Sequence, residues 1–219
     1  IINKCQSRGD RIINCETIVN SFILSNLVRK IEAIPPQRVD INLLYSLVKD
    51  IRLTDAFIQR YIEFSDRNFN RKLIFRTWSL TVYVISWKPG QESRMHHHGF
   101  ALDAIRVVYG KMTHWLISPD EFDGYVPFEA CRESDRKRYE GPSQTFVSGD
   151  IVMINSCQGH QIANLSNEDL VTLHYRFGLP PEDDNWRSTN DAEMFIWNQA
   201  EGCFDFILPS EGGWASIHR

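Results

Sequence analysis

The chain predicts a mainly β fold, an antiparallel sandwich or barrel with an N-terminal helical segment. Two observations predict it: apolar residues recur at helical spacing in the first part of the chain, and beyond Arg71 the period changes to alternation in many short runs. A third bounds it, since 219 residues suit one hydrophobic core rather than several.

Each element has its own signal. Over residues 17–34, Ile18, Phe22, Ile23, Leu27, Val28 and Ile31 fall at helical spacing, and Pro35-Pro36 stop the helix. Asp40 is a suitable N-cap for a second helix, whose apolar face is Leu43, Leu44, Leu47, Val48 and Ile51. A third, short helix is expected over 55–64. Strands are expected at 80–87, 104–109, 112–117, 144–147, 151–154 and 170–177. Turn residues separate them at Lys88-Pro89-Gly90, Tyr109-Gly110-Lys111 and Ser148-Gly149-Asp150. The expected organisation is one domain: a helical segment 1–70 packed on a barrel core 71–178, with a Trp-rich acidic tail 179–219 wrapping the barrel. There is no internal repeat and no low-complexity tract.

Composition excludes several functions. A net charge of -4 without a basic stripe gives no footprint for nucleic acid or an anionic membrane surface, and the basic run 132–138 is interleaved with Glu133 and Asp135 as in a solvated loop. No apolar stretch approaches the ~20 residues a membrane helix requires. The five cysteines (Cys5, Cys15, Cys131, Cys157, Cys203) are odd in number, widely spaced and without a CxxC pair, which argues against a disulfide framework or a zinc knuckle. A cytoplasmic protein, monomer or homodimer, is expected. Because the chain begins with Ile, a short leader or tag is expected to precede it.

Chemistry concentrates in two segments. In the first, Gly90, His96, His97, His98, Asp103 and Gly110 sit in a β-rich setting; the second holds Gly149, Asn155, Cys157, His160 and Asn164. Histidines two apart on a strand point to one face, so His96 and His98 can converge on an ion while His97 points away. His160, after an apolar strand and a turn, is the natural third ligand. Neutral imidazoles suit Fe, Zn, Cu and Ni, and three of them leave positions open for substrate and for dioxygen or water. Asp103 has three readings: a fourth ligand, an acceptor that orients an imidazole, or a strand-start Asp bonded to its own backbone. His114 and His218 are isolated and read as ordinary polar or surface residues. Cys157 reads as a small turn filler, and Trp87, Trp115, Trp186, Trp197 and Trp214 as core or lid packing.

These residues resemble the two motifs of the cupin superfamily. Gly90, His96, His98 and Gly110 fit the first, with Asp103 where the family has Glu; Gly149, His160 and Asn164 fit the second, with Asn155 and Cys157 in place of Pro and Gly. The resemblance implies a double-stranded β-helix, or jelly-roll, barrel. Within the superfamily the chain is most similar to cysteine dioxygenase and related thiol dioxygenases, over roughly residues 18 to 178. Phe69-Asn-Arg71-Lys-Leu and Ser86-Trp87-Lys-Pro-Gly90 resemble that family's Tyr-x-Arg-Asn-Leu and Cys-Trp-x-x-Gly elements. Its late Ser-x-His-x-Tyr strand is matched by Thr172-Leu-His174-Tyr175-Arg176, with Arg176 where the tyrosine stands. Asp103 takes the place of the cysteine that cross-links to that tyrosine in the family's animal members, so no such cross-link can form here.

The resemblance implies Fe(II) on His96, His98 and His160, with Mn, Ni or Cu as alternatives. It implies that Arg71 pairs with a substrate carboxylate and that His174 and Thr172 line the site. Arg176, if it faces the cavity, would either suit a second anionic group or neutralise Asp103. The expected partners are a small-molecule substrate and dioxygen, and the expected reaction is oxidation of a small thiol-bearing amino acid or mercapto acid to a sulfinate. The alternatives are a cupin metalloenzyme with a three-His, one-Asp site that decarboxylates, oxidises or isomerises a small acid, and a non-catalytic small-molecule-binding cupin.

Overall fold

Strands pair in nested fashion, and the nesting defines the architecture. The computed structural model describes residues 15–35, 38–99, 101–117, 141–156, 158–178, 194–198 and 203–207. Three helices come first: α1 (Cys15–Glu32), α2 (Ile41–Val48) and α3 (Asp55–Gln59). Eleven strands follow among the described residues: β1 (Asn70–Arg76), β2 (Leu80–Trp87), β3 (His96–His97), β4 (Leu102–Tyr109), β5 (Lys111–Ile117), β6 (Ser143–Val147), β7 (Ile151–Ile154), β8 (Gly159–Ala163), β9 (Leu170–Phe177), β10 (Met194–Asn198) and β11 (Cys203–Ile207).

β5 pairs with β6, β4 with β7, β3 with β8 and β2 with β9, all antiparallel. Rolling these nested pairs gives two sheets, ordered β1-β2-β9-β4-β7 and β11-β10-β3-β8-β5-β6. That strand order is a jelly roll, so the fold is mainly β with an N-terminal helical segment. The hairpin β10–β11 extends the second sheet at its β3 edge.

The first sheet is buried on both faces, which is why β2 and β9 read as nearly continuous apolar runs. One face carries Leu80, Val82, Val84, Leu102, Ala104, Val171, Leu173, Tyr175 and Phe177 and packs on Leu24, Leu27, Leu44, Val48 and Phe57 of the helices. Its other face, with Tyr83, Ile85, Trp87, Ile105 and Leu170, meets Met112 and Ile162 of the second sheet. Alternation therefore sorts β9: Thr172, His174 and Arg176 turn inward, and Tyr175 turns to the helices.

The helix caps follow the expected chemistry. Asp40 accepts from the Leu43 N–H at 2.7 Å, and Thr54 caps α3 through Phe57. The face expected of α1 needs correction: Ile18 and Phe22 are 55% and 63% exposed, and the buried stripe is Asn20, Leu24, Leu27, Val28 and Ile31. Asn20 decides this rotation. Its amide donates to Glu16 O (2.6 Å) and Thr54 Oγ1 (3.1 Å), and its carbonyl accepts from Thr54 N–H (2.9 Å), fastening α1 to the start of α3.

Among the described residues no helix is long and apolar enough to cross a membrane. Cys5, Cys131, Cys157, His218, Trp186, Trp214, the run 132–138 and the side chain of Trp197 lie outside the described residues.

Candidate metal centre

His96 on β3 stands directly opposite His160 on β8, so both rings lie on the inner face of the second sheet. His98 follows two residues later, and its ring centroid is 4.7 Å from that of His96. The ligating nitrogens of His96, His98 and His160 lie within 4.8 Å of one another, and all three residues are buried. His97 alternates to the other side, where its Nδ1 accepts from Gly99 N–H at 3.1 Å.

The hydrogen bonds leave the inner nitrogen of His96 for an ion. The Nδ1–H of His96 donates to the Arg94 carbonyl at 2.7 Å, which leaves its Nε2 as the lone pair. His160 Nδ1 lies 3.3 Å from His114 Nε2, and its Nε2 is 3.2 Å from His98 Nε2. Burial holds every ring neutral: His96 is pushed down to about 3, and His98 and His160 fall well below their ordinary value. Three neutral, buried imidazoles converging on one point fit a borderline divalent cation such as Fe(II), Zn(II) or Ni(II).

Asp103 and Arg176 form the fourth side. They are cross-strand partners on β4 and β9, and Arg176 Nε donates to Asp103 Oδ1 at 3.1 Å. Asp103 Oδ2 is 3.4 Å from His98 Nε2, and Arg176 Nη2 donates to that same nitrogen at 2.7 Å. Burial pushes the Asp103 carboxyl up, against the Arg176 guanidinium that pulls it down. Of the two expectations for Arg176, neutralising Asp103 is the arrangement present.

The histidines open onto a small cavity. Phe69, Ile85, Trp87 and Ile162 form its apolar wall, and Arg71, His174 and Arg176 its polar side. Arg71 comes from β1 opposite Ile85, and its guanidinium carbon stacks 4.4 Å from the Tyr83 ring centroid. Burial lowers its pKa to about 10, so Arg71 is a cation at neutral pH. Thr172 lies behind the wall: its hydroxyl accepts from the Trp87 indole N–H at 3.0 Å and bonds His174 Nε2 at 2.9 Å.

His114 was expected to be an ordinary polar or surface residue, and the structure places it at 2% exposure directly behind His160. The signal for it was the alternation Met112, His114, Leu116, since Met112 is a core residue and the three share a face.

No family model matches this chain, and no curated protein matches it. Solved structures similar to it include an uncharacterized conserved protein with a double-stranded beta-helix domain from Klebsiella pneumoniae, at 18% identity and a TM-score of 0.44, covering 59% of this chain and 92% of that one. Another is a cupin superfamily protein from Desulfitobacterium hafniense, at 13% identity and a TM-score of 0.38, covering 53% and 83%. A third is KdgF from Halomonas sp., at 18% identity and a TM-score of 0.38, covering 57% and 89%. The structural neighbours are thus cupin and double-stranded β-helix proteins, and none of these three points to a thiol dioxygenase.

Proposed function

We propose that the chain is a non-haem Fe(II) thiol dioxygenase, oxidising a small thiol-bearing amino acid or mercapto acid to its sulfinate. The observation that carries this is the convergence of three neutral imidazoles with the buried cation Arg71 on one small cavity. His96, His98 and His160 would hold the ion, whose chemistry is to bring thiolate and dioxygen into oriented contact.

The remaining work falls to side chains. Arg71, fixed on Tyr83, binds the substrate carboxylate through its planar fork and so sets the distance from carboxylate to sulfur. Phe69, Ile85, Trp87 and Ile162 pack the carbon body and exclude water. Thr172, itself held by Trp87, fixes the His174 ring at the cavity wall. Both oxygen atoms end on sulfur, and the electrons that sulfur loses are those that dioxygen accepts, so no further reductant is consumed.

The experiment is oxygen uptake by Fe(II)-loaded protein with a thiol panel that includes cysteine and 3-mercaptopropionate. One substrate should give uptake well above autoxidation with a sulfinate product; no uptake with any thiol refutes the proposal. A second reading has its own support in Asp103 Oδ2, 3.4 Å from His98 Nε2. If that carboxylate ligates, the site is three His and one Asp, and the chemistry is decarboxylation, oxidation or isomerisation of a small acid. Thiol oxidation should survive Asp103→Asn better than carboxylate-dependent chemistry would.

A further inference from the structure

The lone pair on His98 Nε2 is claimed twice. It is 3.2 Å from His160 Nε2, on the side where the three ligating nitrogens converge, and Arg176 Nη2 donates to it at 2.7 Å. A guanidinium has donors only, so His98 Nε2 must accept from it, and its ring proton then sits on Nδ1. One lone pair cannot serve a guanidinium N–H and a metal ion at the same time.

Arg176 is held in that position by construction. It stands opposite Asp103 in the β4–β9 ladder, and its Nε bonds Asp103 Oδ1 at 3.1 Å while its Nη2 reaches His98. Both side chains are buried, with Arg176 at 6% and Asp103 at 2% exposure, so water screens neither charge. The pair thus brings both of its groups to His98 Nε2, the guanidinium nearer at 2.7 Å and the carboxylate oxygen Oδ2 of Asp103 at 3.4 Å.

We propose that Arg176 is a positioning residue that sets the site's affinity for metal: it competes with a divalent cation for His98 Nε2 and must release that nitrogen before His98 can ligate. Asp103 retains the displaced guanidinium, so the swing is short and the charge stays paired. The inference rests on the triad holding a metal and on nothing further in the proposed reaction. It predicts a gain on truncation, which general structural damage does not produce, because damage weakens a metal site.

The test is Co(II) titration of the purified chain, followed by visible absorption and by competition with a chelator. Arg176→Gln is expected to bind Co(II) at least tenfold more tightly than wild type. Because that change leaves Asp103 buried and without its partner, Asp103→Asn/Arg176→Gln is titrated beside it. The double variant should also bind more tightly than wild type, and Asp103→Asn alone more weakly, since an unneutralised Arg176 then faces the ion. Folded variants with wild-type or lower affinity at Arg176→Gln and in the double variant overturn the proposal. If wild type and every variant fail to bind Co(II), the metal reading itself falls and takes this proposal with it.

Discussion

Acid should destabilise this chain through its buried imidazoles, and the size of the effect can be worked from the structure. Burial holds His97 and His114 down at about 4, whereas in the unfolded chain an imidazole titrates near ~6.5. Above ~6.5 both states are neutral and these groups confer no pH dependence. As pH falls from there toward 4, the unfolded chain takes up protons that the folded chain refuses, so stability falls. By pH 5 the loss is about 2 kcal/mol for each group, or about 4 kcal/mol for the two, against a typical total of 5–15 kcal/mol. His96, His98, His160 and His174 are shifted in the same direction and add to it. The assay is urea unfolding followed by tryptophan fluorescence at pH 8, 6 and 5 in the presence of a chelator. His97→Asn, which keeps an acceptor for the Gly99 N–H, should shrink the drop between pH 8 and 5 by about 2 kcal/mol. A wild-type stability that is flat over this range, or a drop that His97→Asn leaves unchanged, refutes the reasoning.

Three further outcomes are expected. Gly110 has φ +86 and an added Cβ would lie 2.4 Å from the Asp169 carbonyl oxygen and 2.9 Å from Leu170 Cα, whereas Gly149 has φ +97 and open space. Gly110→Ala should therefore cost about 3 kcal/mol or more and Gly149→Ala about 1 kcal/mol in urea unfolding. Asn20→Ala leaves the Thr54 N–H without its partner and should cost about 2 to 3 kcal/mol, read as a lower melting temperature. Arg71→Lys keeps the charge but loses the planar fork, so KM for the thiol acid should rise about tenfold or more, with a smaller change in kcat.

The repeating parts of the fold were legible in the sequence. Period-two runs located β2, β4, β5, β6, β7 and β9 closely, and Asp40 marked the start of α2, because strand alternation and capping are local physics. β3 is two residues long and β8 follows a turn, so neither shows a period; β8 is a strand through its ladder with β5, and β3 through its pairing with β8 and β10, all distant segments. The face of α1 was misread because Ile18, Val19 and Phe22 made the first turns apolar on several sides, and the deciding contact, Asn20 to Thr54, spans 34 residues. At the site, the spacing His-x-His and the return of His160 were enough to name the triad. The pairing of Asp103 with Arg176 and the position of His114 behind His160 depend on register between strands far apart in sequence, which single-strand alternation does not specify.

The most direct measurement is anomalous diffraction from crystals of the protein as purified and after Fe(II) loading. One metal peak is expected within bonding distance of Nε2 of His96, His98 and His160, with Asp103 outside the coordination sphere and still paired with Arg176. A peak ligated by Asp103 contradicts the thiol dioxygenase site in favour of the three-His, one-Asp centre, and no peak at the histidines after loading contradicts the metal centre altogether.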